Sequence, residues 1–336
     1  MARESFAEAR RKLDRLRALR SSPGAAAVYA AELLEAETLE DVLLSVLAVL
    51  RENPGPALHD VVVRRYREFD ANAKRRDPLG TVRTALLSLL RREITQGDRE
   101  IVLRAVTTYE SGFSGPTSTS IRAAGLICLA DLDPELAALY AARCTGESDA
   151  DRTLGDGGEP IVTALRVLFT TNQVAAIYGY AVAAPIPAKR DGRQITEPHA
   201  EAVRLLRELP DGLASAVAAR FMDSESDLIL LGVCDLLVGH EGGPGVMREL
   251  RAMLQRPGDH EIFQYLAAAI VASRRDDSLA ALITHGLEEG DRTKAAIVRD
   301  ALLLTRNPAA LAALPALEAR VASLPVVRMS AEPPSS

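Results

Sequence analysis

The sequence predicts an all-α protein, and three properties of its composition support that fold class. Of its 336 residues, 48% are hydrophobic, as is typical of a soluble folded chain, but only 4% are aromatic and none is Trp. Ala and Leu, which favour helices, are abundant, whereas the aromatic residues that favour strands are scarce. Strict alternation of apolar and polar residues, which marks a half-buried strand, occurs in few segments. We therefore expect helices throughout.

The stretch from Ser118 to Gly146 predicts two consecutive helices most clearly. Hydroxyls at its start are positioned to cap a first helix, which continues through the apolar run 121–129. Asp133 is placed to cap the second helix, Pro134 suits its first turn, and the final glycine suits its end. The expected buried face of the second helix consists of Leu136, Leu139, Tyr140 and Cys144. Neither helix can bury its apolar surface alone, so each needs neighbouring helices.

Residues 1–77 predict an N-terminal helical cap followed by irregular helix pairs. Helices are expected over residues 4–20, 25–35, 39–52 and 56–69. The first of them is amphipathic and highly charged, and its polar face is typical of the terminal unit of a repeat array.

Residues 78–324 predict a regular array of helix pairs, and residues 325–336 predict a disordered tail. Comparable first-helix positions recur at Val82, Ile121, Ile161, Ala202, Leu228, Ile262 and Ala296. The intervals between them are 39, 40, 41, 26, 34 and 34 residues. Recurrence on this scale is typical of a helical solenoid, in which each pair packs mainly against its neighbours.

Two stretches, Val82-Arg83-Thr84-Ala85-Leu86 and Ile121-Arg122-Ala123-Ala124, share a β-branched residue followed by an arginine and alanine. They resemble the V-R-x-A-A stretch in the second helix of HEAT repeats, and residues 202–204 and 298–301 match it more loosely. Segments 228–229 and 262–263 depart from the pattern because they lack the arginine. The resemblance covers roughly residues 78–324 and implies an α-solenoid of antiparallel helix pairs.

The HEAT resemblance implies that the arginine of a repeat pairs with an acid in the turn before its helix. The candidate arginines are Arg83, Arg122 and Arg204. Acids within reach of the following helices are Asp77, Glu197 and Asp223. Such pairs would form a ladder of internal ion pairs. The alternative is that these arginines, together with Phe113 in a helix connection, contact a partner on the concave surface.

The sequence contains no convincing catalytic, metal or cofactor motif. His240-Glu241 and His260-Glu261 resemble the iron-binding pairs of HEAT-repeat deoxyhypusine hydroxylase, but that family needs four such pairs. Hydrogen bonding at helix ends is the favoured interpretation of both histidines. Asp149-Ala150-Asp151 imitates the start of a calcium loop, yet Pro160 stands where the bidentate carboxylate belongs. A solvated loop is expected there, and neither a phosphate-binding loop nor a nucleophile elbow is present.

Charge and cysteine content indicate the cellular setting. The formal net charge of −6 argues against a protein that coats nucleic acid. The cysteines lie in apolar helical runs and are odd in number, as expected of buried reduced thiols. They are Cys128, Cys144 and Cys234. The N-terminus lacks the pattern of a signal peptide, and no apolar run approaches the ~20 residues that cross a bilayer. We expect a cytoplasmic protein with no membrane contact.

The leading functional hypothesis is a non-catalytic scaffold that binds a partner protein along a solenoid. A nucleic-acid-binding protein, similar in architecture to the HEAT-like alkylpurine DNA glycosylases, is the alternative. The absence of Trp and the acidic C-terminal half argue against nucleic acid. A third hypothesis, a HEAT-like lyase acting on a chromophore, has no residue that singles it out. The sequence does not identify the partner, the oligomeric state or the binding face.

Overall fold

The computed structural model describes residues 2–53, 58–112, 115–147, 156–186, 194–256 and 259–325, and these are predominantly helical. Nineteen α-helices pack against their neighbours within the described ranges, so the all-α prediction is confirmed. The strands found there are β1 (Ser111–Gly112) and β2 (Gly115–Pro116), each two residues long and paired antiparallel. The expected tail from residue 326 onward and the calcium-like segment 149–151 lie outside the described residues.

The chain divides into two compact units, Met1–Ala176 with Pro187–Pro198, and Ile177–Ile186 with His199–Ser336. The helices that lie wholly in the first unit are α1 (Ala2–Ala18), α2 (Pro23–Ala36), α3 (Glu40–Glu52), α4 (His59–Ala71), α5 (Ala73–Arg76), α6 (Thr81–Leu90), α7 (Arg99–Val106), α8 (Thr119–Leu132), α9 (Pro134–Thr145) and α10 (Ile161–Thr170). The division falls within α11 (Val174–Ala183) and α12 (Glu197–Leu205). The second unit then contains α13 (Asp211–Phe221), α14 (Asp227–Gly239), α15 (Pro244–Gln255), α16 (His260–Ser273), α17 (Asp276–Glu288), α18 (Arg292–Leu302) and α19 (Pro308–Ser323).

In the first unit, α3, α6, α8 and α10 pack against one another in succession. Helices α7 and α9 pack against α8, and α9 also packs against α10. Helix α6, the first of the predicted array, contacts α3 and α4 of the predicted N-terminal cap. Helices on the two sides of the boundary expected at residues 77 and 78 therefore pack against each other, and the boundary itself stays a prediction.

In the second unit, helices two positions apart in the chain pack together, which gives two rows. One row contains α13, α15, α17 and α19, and the other contains α14, α16 and α18. Most consecutive helices pack across the rows as well: α13 with α14, α14 with α15, α16 with α17, α17 with α18, and α18 with α19. Each helix thus buries its apolar stripe against several neighbours.

Side-chain caps begin several of these helices, as short polar residues at the first turn predict. The capping residues are Asp133, Asp259, Asp291 and Asn307. Asp133 accepts a hydrogen bond from the amide of Leu136 at 3.1 Å, and Pro134 and Gly146 stand at the start and end of α9. These expectations are confirmed. The expected cap at Ser118 is wrong, because its hydroxyl accepts the amide of Glu110 at 3.0 Å instead.

The buried face of α9 also differs from the expectation. Ala137, Ala138 and Ala141 are buried beside Cys144, whereas Leu139 is 69% exposed. Helix α9 packs closely on both α8 and α10, and small side chains permit that approach. The alanine face therefore turns inward, Leu136 and Tyr140 are half-buried, and Leu139 stays at the surface.

Candidate interaction groove

Arg83, a candidate partner contact, lies in the interior of the first unit. Its Nε donates to Oδ2 of Asp77 at 3.0 Å, and neither side chain is exposed. Its two terminal nitrogens donate to the carboxylate oxygens of Glu110 at 2.8 and 2.6 Å. Burial opposes the positive charge, but the hydrogen bonds to Glu110 and Asp77 outweigh it and raise the pKa of Arg83. The expected pair of Arg83 and Asp77 is confirmed.

Arg122 is buried in the next helix pair of the same unit. Its guanidinium forms an ion pair with Glu147 and lies over the ring of Tyr109, with 4.2 Å between Cζ and the ring centroid. The Tyr109 hydroxyl in turn donates to Glu147 at 2.6 Å. Unlike Arg83, Arg122 therefore pairs with an acid that follows α9 instead of one that precedes its own helix. Because both guanidinium groups are buried, neither presents a surface to a partner in this structure.

The remaining candidate contacts have different outcomes. Arg204 is exposed on α12 and forms an ion pair with Glu201 one turn earlier. Its exposure is compatible with a partner contact, which stays a prediction. Phe113 lies outside the described residues.

A groove of about 450 Å³ opens on the surface formed by α6, α8 and the start of α10. Helix α6 contributes Thr84 and Ser88, which are four residues apart and lie on one face. Helix α8 contributes a stripe at spacings of three and four residues, namely Ser120, Ala123, Ala124 and Ile127. Helices α6 and α8, which are neighbours in the first unit, therefore supply the two walls.

The floor of the groove consists of small side chains. Ala123 and Ala124 are almost completely buried, and Cys128 lies beneath the surface of α8 with its thiol directed at the carbonyl of Leu87 at 3.5 Å. Burial raises the pKa of the Cys128 thiol to about 12, so the thiol stays protonated at neutral pH. A protonated, buried thiol is a poor nucleophile. The floor thus offers contact surface and no obvious reactive group.

Hydroxyl groups border this floor. Ser88 donates to the carbonyl of Thr84 at 2.9 Å, and Thr84 donates to that of Gly80 at 2.7 Å. Each hydroxyl oxygen retains the capacity to accept a further bond. The Ser120 hydroxyl makes no hydrogen bond within the described part of the chain, so it is available as a donor. The borders can therefore both donate to and accept from a bound polar backbone.

Charged side chains stand at opposite ends of the groove. Arg51, in the last turn of α3, and Arg91, just after α6, line one end. Glu159 lines the other end, where it accepts the amide of Thr163 at 3.2 Å and its hydroxyl at 2.9 Å. The groove thus has arginine at one end, carboxylate at the other and an uncharged floor between them.

The interpretation of His240 and His260 as helix-end hydrogen-bonding residues is confirmed. His240 ends α14, where Nε2 lies 2.8 Å from the carbonyl of Leu209 and Nδ1 accepts the amide of Gly242. His260 begins α16, with Nε2 at 3.0 Å from Asp291. No group of three or more His, Cys, Asp or Glu side chains in the described ranges is arranged to hold a metal ion.

Comparisons of the chain with known protein families, characterised proteins and solved structures gave no significant match. None of the helices in the described residues is long and apolar enough to span a membrane. The groove was not predicted from the sequence. The signal that could have indicated it is the alignment of hydroxyls at Thr84 and Ser88 with the small-residue stripe of α8.

Proposed function

We propose that this chain is a non-catalytic protein–protein interaction scaffold that binds an extended segment of a partner in the groove of α6 and α8. The groove carries the proposal. Its floor of small side chains can accept a polypeptide at close range, and its hydroxyl borders can satisfy backbone N–H and C=O groups. Main-chain groups of a bound segment need such partners when they leave water.

The proposed architecture is an α-solenoid of antiparallel, HEAT-like helix pairs. The succession α3, α6, α8 and α10 in the first unit and the two rows of the second unit support it. In a solenoid, equivalent helices of successive repeats lie side by side and create continuous surfaces on which partners bind. The groove lies on one such succession.

A non-catalytic role in the cytoplasm fits the chemistry of the cysteines. All three thiols are buried and unpaired, which is favoured in a reducing compartment. Burial also raises the pKa of each thiol, which keeps them in the unreactive protonated form.

Blocking the groove tests the proposal. Ser88 is exposed in the groove wall, and a Ser88→Trp variant would fill the space with an indole ring. Ser45→Trp is the matched control, because Ser45 also donates to the carbonyl four residues earlier, at 2.9 Å, but does not line the groove. Proteins retained from a cell extract by the immobilised full chain would be quantified for the wild type and both variants by mass spectrometry.

We expect a set of proteins that the wild type and Ser45→Trp retain and Ser88→Trp loses. Equal retention by all three forms, with the variants folded by circular dichroism, would rule out the groove as the binding site. A gel shift with duplex DNA at low salt provides the second arm. Retarded DNA that dissociates as salt rises would favour the nucleic-acid alternative.

A further inference from the structure

We infer that the partner segment is acidic, and that its Asp or Glu carboxylates bind at the end of the groove formed by Arg51 and Arg91. This inference rests on the proposed function and adds the chemistry of the partner. Some charged side chains at the groove already form intramolecular contacts, and others do not. The inference rests on those that do not.

Arg51 is the principal unoccupied charge. It is exposed, and its guanidinium forms no hydrogen bond or ion pair with the described residues. The carbonyls at the C-terminus of α3 do not need it, because Arg92 donates to those of Leu50 and Arg51 at 3.2 and 3.1 Å. The guanidinium that binds the last carbonyls of α3 therefore belongs to Arg92. Arg51 keeps all its side-chain donors for a ligand.

Arg91 is partly occupied. Its Nε and one terminal nitrogen donate to the two carboxylate oxygens of Asp131 at 2.6 and 3.3 Å, a contact that raises the pKa of Arg91. The second terminal nitrogen has no such partner in the described residues. An arginine fixed on one edge by an internal carboxylate can present its other edge without a further loss of side-chain freedom.

The opposite end of the groove has the opposite charge. The Glu159 carboxylate is held in position by the amide and hydroxyl of Thr163. A segment with acidic residues at both ends would be repelled there. The groove therefore favours a segment whose carboxylates are concentrated at the Arg51 end. Glu52, the acidic neighbour of Arg51 in sequence, does not line the groove.

Carboxylate is the chemistry that this end recognises. Two guanidinium groups offer planar pairs of N–H donors that match a carboxylate in a bidentate geometry. The ends of the groove would set the direction in which the segment lies, and the uncharged floor would contact its small or apolar side chains. We commit to Asp and Glu of a partner protein as the source of the carboxylates.

Selection from a displayed library of random peptides tests this inference with the full chain as the bait. Peptides of about ten residues, which span roughly 33 Å when extended, are long enough to cover a groove of this size. Selections would be run on the wild type, on Arg51→Glu and on Arg11→Glu. Arg11 is exposed on α1, forms no ion pair in the described part of the chain and does not line the groove, which makes it the matched charge-reversal control.

We expect wild-type and Arg11→Glu selections to enrich Asp and Glu. Synthetic versions of the selected peptides should bind Arg51→Glu about tenfold more weakly at low salt, with a smaller difference at 0.5 M salt, where the Debye length falls to about 4 Å. Peptides that require an open groove, and so fail to bind Ser88→Trp, but show no acidic enrichment would overturn the inference while leaving the scaffold proposal intact. Selected peptides that bind Ser88→Trp as well as the wild type would instead count against the proposed function itself.

Discussion

Gly125 lies where α8 packs against the end of α7, and replacing it by alanine tests how tightly this part of the first unit is packed. A Cβ at this position would lie 2.9 Å from the backbone nitrogen of Val106 and 3.0 Å from the Cβ of Ala105. Non-bonded carbon atoms in favourable contact are about 3.5–4.0 Å apart, so the new methyl group would be too close by about 0.5 Å. Neither neighbouring atom can move away by a rotation of its side chain.

Two effects of opposite sign decide the outcome of Gly125→Ala. Alanine in a helix interior stabilises by about 1 kcal/mol relative to glycine. An added carbon in a well-packed interior costs about 1–3 kcal/mol, and the upper part of that range applies when backbone must shift. We therefore expect a net loss of about 1–2 kcal/mol in the free energy of unfolding. Gly24→Ala is the control, because Gly24 is also helical, lies in the same unit and has no atom within 4 Å of its Cβ position.

Urea unfolding followed by circular dichroism and by tyrosine fluorescence measures the change, and hydrogen exchange assigns it to α7 and α8. Gly24→Ala should be unchanged or up to about 1 kcal/mol more stable than the wild type. A Gly125→Ala variant that is as stable as the wild type would show that α7 and α8 lie further apart than the structure places them.

Three further predictions concern buried charge, pH and thiol exposure. Asp77→Ala removes the carboxylate that accepts the amides of Val82 and Arg83 as well as Arg83 Nε, and should lower the free energy of urea unfolding by about 3 kcal/mol. Hydrogen bonds to Asp60 and Asp98 raise the pKa of His59 above the ordinary histidine value of 6.5. Their stabilisation is therefore complete below pH 6.5 and is lost as pH rises through the folded-state pKa. The melting temperature of the wild type should therefore exceed that of His59→Gln at pH 6 by more than at pH 9. The three buried thiols should not react with a thiol reagent until the chain is unfolded.

Each of these expectations can fail in a defined way. An Asp77→Ala loss below about 1 kcal/mol would mean that the remaining acceptors, chiefly Glu110, satisfy the buried guanidinium. A difference between the wild type and His59→Gln that is independent of pH would assign the effect of His59 to packing. Rapid labelling of any cysteine in the folded protein would show that its helix opens readily.

Several local features of the fold were correctly predicted from the sequence. Asp133 and Pro134 identified the start of α9, because a capping carboxylate and a proline act through the first turn of their own helix. The pair of Asp77 and Arg83 was also predicted, as an implication of the resemblance to HEAT repeats, and the contact is present. The positions of His240 and His260 at helix ends followed from the adjacent turns.

The errors concern choices that depend on neighbouring helices. Hydrophobicity favoured Leu139 for the interior of α9, but the distance to α8 and α10 admits alanine and leaves the leucine exposed. Ser118 is a residue type that commonly caps helices. However, the antiparallel pairing of β1 and β2 brings the amide of Glu110 to its hydroxyl. Both cases involve partners that are distant in sequence or set by packing.

By itself, the sequence determined that this protein is helical and where many of its helices begin and end, because these properties arise from composition and from side chains within one turn. Only the tertiary structure decided which face of each helix is buried, that Arg83 and Arg122 lie inside, and that α6 and α8 together form a groove. It also separated Arg51, which is left free, from Arg91 and Arg92, which are engaged. The sequence does not show whether a given arginine is paired with a carboxylate. That depends on which helices, distant in sequence, pack beside it.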